Sequence, residues 1–116
     1  MTFDARHPEA VEAVRRALEE DIGAGDVTSQ ATVDADRKAH GRFVARDRLV
    51  LAGVELLPVI YELRGGVDSI ELLAASGARL EPGQTVAAVQ GRARTLLECE
   101  RTALNFLQRL SGVATL

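Results

Sequence analysis

The sequence contains very little cysteine and lysine. Cys99 is the single cysteine, so the chain can form neither an internal disulfide framework nor a set of thiolate ligands for a structural zinc ion. Lys38 is the single lysine, and the other thirteen of the fourteen basic residues are arginines scattered among seventeen acids. The clustered positive charge that is typical of nucleic-acid-binding proteins is missing. We therefore expect no nucleic-acid partner.

Long apolar runs are also missing. No stretch approaches the roughly 20 apolar residues that a membrane-spanning helix needs. The N-terminus, MTFDARHPEA, has acids and a proline where a signal peptide would have a basic and then an apolar stretch. We therefore expect a cytoplasmic protein with no membrane partner. The 116 residues fit one domain, and 47% hydrophobic with 27% charged residues is an ordinary globular composition.

Helical periodicity is clearest near the two ends of the chain. Pro8 suits a first helical position, and the apolar residues that follow it predict an amphipathic helix over about residues 8–22. Thr95 and Glu98 have the spacing of a capping box and predict a last helix over about residues 96–110. The apolar residues of this last helix, which we expect to face the core, are Leu96, Cys99, Ala103, Leu107 and Leu110.

The middle of the chain predicts a small sheet. Residues 40–51 predict either one bent strand or two short strands in a hairpin. Residues 67–80 and 84–91 predict further strands, joined by Pro82–Gly83, a pair favoured at the centre of a type II turn. Such a tight connection favours antiparallel pairing. With a short helix expected over about residues 54–63, the pattern indicates an α+β domain in which helices cover a small antiparallel sheet.

Spacing alone identifies no strong functional site. Arg101 can form an ion pair with Glu98 on the helix surface and lies near Asn105. Asp21 and Asp26 could form a carboxylate pair for acid–base chemistry, but acids beside glycines fit local caps better. The remaining candidates also have structural explanations: Cys99 on the apolar stripe, and His7 and His40 without the neighbours of a metal site.

Three stretches in order carry a specific resemblance: ALEEDIGAGDVTS, LAGVE and EPGQTVAAVQGRARTLLECERTALNFLQRLSGVAT. Together they closely resemble the N-terminal part of the nicotinate-nucleotide pyrophosphorylases, also called quinolinate phosphoribosyltransferases. The resemblance covers about residues 10–116. It implies that residues 1–116 form an N-terminal α+β domain, an open-faced sandwich. Its last helix would lead into an α/β barrel that this sequence lacks.

The resemblance also implies an activity for the full-length protein. Members of the family join quinolinate to phosphoribosyl pyrophosphate in the presence of Mg²⁺. The reaction releases pyrophosphate and CO₂ and gives nicotinate mononucleotide for NAD synthesis. The barrel holds most of this site, so the metal site is expected outside this chain, and the chain alone is expected to be inactive.

Family members are homodimers in which the first domain of one subunit packs against the barrel of the other. The arginine of the motif E-R-T-A-L-N, which is Arg101 here, is implied to reach the partner's site and the quinolinate carboxylates. A guanidinium suits this task because it can hold a carboxylate through two parallel N–H bonds. Other residues are candidates to support the interface or position Arg101, although a helix-surface or capping role explains each equally well: Arg94, Glu98, Thr102, Asn105, Arg109 and Ser111.

Two other functions fit parts of the sequence. A related protein associated with molybdenum transport also resembles the enzyme, and the residues of the barrel would distinguish the two. A carrier module is the second alternative, because GARLEPGQTVAAVQG is similar to the strand–turn–strand of biotinyl and lipoyl domains. Such a carrier needs a modifiable lysine at the tip of its hairpin, and Lys38 lies outside this segment.

Overall fold

The computed structural model describes residues 4–23 and 33–115, with side chains described up to residue 112. A long helix lies near each end of this part of the chain, and the strands lie between them. In chain order the elements are α1 (Pro8–Gly23), β1 (Lys38–Val44), β2 (Leu49–Val50), α2 (Leu56–Glu62), β3 (Ser69–Leu72), β4 (Arg79–Leu80), β5 (Thr85–Arg92) and α3 (Ala93–Thr115).

The two long helices confirm the prediction, and α3 is longer than expected at both ends. Helix α1 begins after His7, whose Nδ1 accepts the backbone N–H of Glu9 at 3.1 Å and so caps the helix. Helix α3 begins at Ala93 directly after β5, so Thr95 lies inside its first turn and the predicted capping box is wrong. The N–H of Ala93 donates instead to the carbonyl of Arg37 at 2.8 Å.

A three-stranded antiparallel sheet has β5 at its centre, between β1 and β3. Along β1 exposed and half-buried residues alternate strictly, so one face packs towards the helices and the other is open to solvent. On the open face the exposed side chains of His40, Gln90 and Ser69 lie side by side across the three strands. This arrangement confirms the expected open-faced α+β sandwich.

The strand predicted over residues 40–51 is corrected by the structure. An irregularity at Phe43 and Val44 shifts the register at the end of β1. The chain then turns away, and β2 pairs with β4 in a separate two-stranded sheet. The segment therefore forms two short strands, but they belong to different sheets and do not make a hairpin, because each finds its partner elsewhere in the chain.

The turn predicted at Pro82–Gly83 is confirmed. The N–H of Gln84 donates to the carbonyl of Glu81 at 3.1 Å, and the φ of Gly83 is +89°, as a type II turn requires. The strands on either side of the turn nevertheless do not pair with each other. β4 pairs with β2, and β5 pairs with β1 and β3. The hairpin of a carrier domain is therefore not formed, which removes the structural basis of the carrier alternative.

The core lies between the helices and the sheet, where α3 packs against α1, α2 and the strands. Val14 of α1 and Leu57 and Ile60 of α2 have 0% of their surface exposed. Pro58 is tolerated in α2 because it lies in the first turn, where its missing N–H would have no partner in the helix. Within the described residues, no helix has both the length and the apolar character needed to cross a membrane.

Candidate functional site

Helix α3 is held in place by the apolar stripe that the sequence predicts. Cys99 and Ala103 are 0% exposed, Leu107 is buried, and Leu96 and Leu110 are partly buried against the same core. Burial raises the pKa of the Cys99 thiol from 9.0 to about 12, with the nearby Glu98 carboxylate acting in the same direction. Cys99 is thus a protonated core residue, as expected, and the opposite side of α3 faces solvent.

The outward side of α3 carries Arg101 between two exposed leucines. Leu97, Arg101, Leu104 and Gln108 follow one another at intervals of four, three and four residues, which places them in one row along the helix. We call this row the Arg101 face. Leu97 is 45% exposed and Leu104 is 37% exposed. Among the residues that the structure describes, none forms an ion pair with Arg101.

A groove of about 560 Å³ opens beside the Arg101 face, between α3 and the segment that joins β1 to β2. Leu104 and Gln108 belong to both the face and the groove. Phe43 and Leu107 add apolar surface to the groove, and Arg46 contributes a positive charge. The lining also includes Asp47 and Arg48, the latter paired with Glu81 at 2.9 Å. The Arg101 face and the groove therefore form one continuous surface of apolar and charged side chains.

Glu98, Arg94 and Asn105 are three of the six candidate supporting residues, and the first two have other contacts in the fold. The carboxylate of Glu98 accepts a hydrogen bond from Nε of Arg64 at 3.1 Å and lies 3.1 Å from its Nη2. The ion pair expected with Arg101 is therefore replaced by one that joins α3 to the segment just after α2. Nε of Arg94 donates to the carbonyl of Val33 at 2.6 Å and ties the start of α3 to the segment before β1. Both are structural contacts.

The third supporting residue, Asn105, is exposed one turn after Arg101. It remains available to contact a partner, as does the exposed Arg109 on an adjacent side of the helix. Ser111 is buried, and its hydroxyl bonds both the N–H of Ala52, at 3.0 Å, and the carbonyl of the same residue, at 3.3 Å. Ser111 therefore fastens the C-terminal half of α3 to the chain that follows β2.

One contact near Arg101 joins two segments that sequence reasoning treated separately. The hydroxyl of Thr102, which is 1% exposed, donates to Oδ2 of Asp21 in the last turns of α1 at 2.6 Å. Asp21 is thus neither a local cap nor, on this geometry, a free acid–base group. Asp26, its predicted companion, lies outside the described residues. In the sequence, the only feature that pointed to this contact was a threonine directly after the motif arginine.

The structure places the two histidines apart from this surface. His7 caps α1, and His40 is exposed on the open face of the sheet. In residues 4–23 and 33–115, no group of three or more histidine, cysteine or acidic side chains is arranged to hold a metal ion. At the Arg101 face, the described residues can therefore bind an anion through the guanidinium of Arg101.

Comparison with known proteins identifies the family. The model of the quinolinate phosphoribosyl transferase N-terminal domain matches residues 26–111. A carboxylating nicotinate-nucleotide pyrophosphorylase of Mycobacterium leprae is 42% identical over 99% of this chain and 42% of its own length. The decarboxylating quinolinate phosphoribosyltransferase 2b of Nicotiana tabacum is 36% identical over 90% of this chain and 30% of its own length.

The fold agrees with the sequence match. The crystal structure of NadC from Streptococcus pyogenes superposes with a TM-score of 0.82 and 33% identity, over 92% of this chain and 39% of that chain. The chain thus spans between 30% and 42% of the length of these relatives. With a family model that matches most of its residues and a shared fold, this chain belongs to the family of quinolinate phosphoribosyl transferase N-terminal domains.

Proposed function

We propose that this chain forms the N-terminal domain of a pentosyltransferase acting in NAD biosynthesis. The full enzyme would transfer phosphoribose from phosphoribosyl pyrophosphate to quinolinate, releasing pyrophosphate and CO₂ and giving nicotinate mononucleotide. The names of the relatives from Mycobacterium leprae and Nicotiana tabacum support this reaction and do not favour the alternative associated with molybdenum transport. A cytoplasmic location for the enzyme stays a prediction.

We further propose that Arg101 is supplied to the substrate site of a partner subunit in a homodimer. One observation carries this proposal: Arg101 is exposed between the exposed side chains of Leu97 and Leu104, on a helix whose other side is buried. Exposed leucines on both sides of an arginine are unfavourable in water but suit an interface that becomes buried on association. The groove beside them would enlarge the contact with the partner's barrel domain.

The chemistry of the substrates explains why an arginine would be needed. Quinolinate has two carboxylates and phosphoribosyl pyrophosphate several phosphate charges, so a site that binds both must concentrate positive charge. The planar guanidinium of Arg101 can hold one carboxylate through two parallel N–H bonds and stays charged at any working pH. Because no described acid forms an ion pair with Arg101, its charge would be available to the substrate.

Magnesium remains part of the proposal for the full enzyme. The described residues include no group that could hold it, so they do not fit a metal site, and we assign this chain no step that involves the ion. The other basic residues of the substrate site would likewise come from the barrel. We therefore propose that these 116 residues on their own do not catalyse the reaction.

The test is the Arg101→Ala variant of the full-length enzyme. Losing a charge-assisted contact to substrate should lower kcat/KM for quinolinate by about 30-fold or more, equivalent to about 2 kcal/mol. Arg101→Lys should recover little of this loss, because a lysine ammonium cannot form the two parallel N–H bonds of a guanidinium. Arg42→Ala is the matched control, since it removes an exposed arginine from the open face of the sheet, away from α3, and should leave kcat/KM within about twofold.

A mixing experiment tests the delivery of Arg101 across the dimer. Arg101→Ala chains are mixed with chains inactivated in the barrel, under conditions in which subunits demonstrably exchange. Hybrid dimers contain one complete site, so part of the activity should return. Unchanged kinetics for Arg101→Ala would remove this residue from the site, whereas exchanging mixtures that stay inactive would show that each subunit uses its own Arg101.

A further inference from the structure

The hydrogen bond between Thr102 and Asp21 lies one residue from Arg101 and joins α3 to α1. Thr102 is 1% exposed, and its hydroxyl lies 2.6 Å from Oδ2 of Asp21. The two residues are 81 positions apart, one in each of two motifs that carry the family resemblance. They are the point at which those motifs meet in the fold.

Burial of Thr102 does not by itself explain this contact. Most buried hydroxyls form a hydrogen bond, but a threonine in a helix can bond the carbonyl four residues earlier in its own helix. Thr102 donates instead to a carboxylate on a neighbouring helix. A hydrogen bond to a charged acceptor is stronger and more directional than one to a neutral group. The contact therefore fixes α3 relative to α1 at this turn.

The apolar stripe holds α3 against the core, but apolar packing is not directional. Beside Arg101 the stripe consists of the small side chains of Cys99 and Ala103. Two other polar contacts lie near Arg101 on α3: the Cys99 thiol is a weak donor 3.9 Å from the carbonyl of Ile60, and Glu98 pairs with Arg64, whose side chain is 39% exposed. The bond from Thr102 is thus the buried polar contact closest to Arg101 among the described residues.

A small rotation of α3 would move the end of Arg101 a long way. Side chains on a helix extend to roughly 6 Å from its axis, so a rotation of about 20° displaces their ends by about 2 Å. A displacement of about 1 Å at a substrate-positioning group can already cost a large factor in rate. The direction in which Arg101 extends therefore depends on the contacts that hold α3 against rotation.

We propose that Asp21 and Thr102 are positioning residues that set the rotation of α3 and so direct Arg101 towards the substrate of the partner subunit. The inference rests on the proposed function, since it assumes that Arg101 contacts substrate. Neither residue touches substrate in this scheme. Their effect on the reaction passes entirely through Arg101. Variants that lack Arg101 can therefore distinguish this positioning role from a general contribution to stability.

A double-mutant cycle in the full-length enzyme tests the proposal. Thr102→Val keeps the shape of the side chain and removes its hydroxyl, and we expect kcat/KM for quinolinate to fall about tenfold. In the Arg101→Ala background the same substitution should change kcat/KM by less than about twofold, because the group that it would misdirect is gone. Thr102→Ser retains the hydroxyl and should stay within about threefold of the parent enzyme.

Thr95→Val provides the matched control. Thr95 is buried on the same helix, two turns earlier, and donates no side-chain hydrogen bond to any described residue. Its replacement should leave kcat/KM within about twofold. If Thr102→Val prevents assembly of the dimer, Asp21→Ala provides the second cycle, because it removes the half-buried acceptor of the Thr102 hydroxyl. Its effect on kcat/KM should likewise be lost in the Arg101→Ala background.

The outcomes separate the two proposals. Normal kinetics for Arg101→Ala alone would overturn the proposed role of Arg101 and the positioning role with it. An impaired Arg101→Ala enzyme in which Thr102→Val or Asp21→Ala acts equally in both backgrounds would leave the role of Arg101 standing and overturn the positioning role. A Thr102→Val enzyme with unchanged kcat/KM in the parent background would also overturn the positioning role.

Discussion

Replacing Gly53 with alanine is expected to destabilise the chain through two separate effects. The φ of Gly53 is +84°, a conformation that costs a residue with a Cβ about 1–2 kcal/mol. The added Cβ would also overlap Cδ1 of Leu110, whereas Cβ and Cγ of that leucine, at 3.5 Å, are at an ordinary contact distance. Because Cδ1 is the end of a flexible, half-buried side chain that can move aside, this overlap adds about 1 kcal/mol. The two effects together lower the free energy of unfolding by about 2–3 kcal/mol.

Gly83 provides the matched control for the backbone effect. Its φ is +89°, nearly that of Gly53, but an added Cβ would meet no heavy atom within 4 Å. Gly83→Ala should therefore cost only about 1–2 kcal/mol. The additional loss in Gly53→Ala measures the contact with Leu110. Leu110→Ala in the Gly53→Ala background should relieve that contact, giving a coupling energy of about 0.5–1 kcal/mol.

Urea unfolding followed by far-ultraviolet circular dichroism measures the free energy of unfolding of each chain, and unchanged m-values would confirm that the comparison is valid. Equal losses for Gly53→Ala and Gly83→Ala would refute the reasoning. So would a Leu110→Ala substitution whose cost is the same in both backgrounds. The contact bears on function because it packs the chain after β2 against α3, the helix that carries Arg101.

Two further predictions concern the core. Burial raises the pKa of Cys99 to about 12 from 9.0 and also raises that of Tyr61, so both keep their protons in the fold. The unfolded chain releases these protons at a lower pH than the folded chain does. The free energy of unfolding should therefore be unaffected below about pH 9 and should fall towards pH 12. Urea midpoints at pH 8 and pH 10 would show this fall, and equal midpoints would contradict it. Leu57→Ala, at a residue 0% exposed, should cost about 2–5 kcal/mol by the same assay. Leu73→Ala, at a residue 49% exposed, should cost no more than about 0.5 kcal/mol, and similar losses for the two would contradict the assignment of the core.

The helices are the part of the fold that the sequence predicts best. Helical periodicity and turn chemistry are short-range properties, so α3, its buried stripe and the type II turn at Pro82–Gly83 all follow from neighbouring residues. The boundary at Ala93 does not follow in this way. There the strand β5 runs directly into the helix, and an amide group of the first turn finds its partner in Arg37, far away in sequence.

The candidate site is predictable only in part. By spacing alone Arg101 is an ordinary surface residue on a helix, and the family resemblance is what singles it out. The structure adds that its side chain is exposed beside Leu97 and Leu104 and next to a groove. The sequence could not show this, because whether a surface leucine is covered depends on which elements of the fold pack around it.

By itself, the sequence determined the family, the α+β class and the position of the long helices, because motifs and periodicity are properties of contiguous residues. Only the tertiary structure decided which strands pair, that Glu98 bonds Arg64, and that Thr102 bonds Asp21. Each of these contacts joins residues 15 or more positions apart along the chain. Their partners are chosen when the elements pack together, since a hydrogen bond depends on distance in space and not on distance along the sequence.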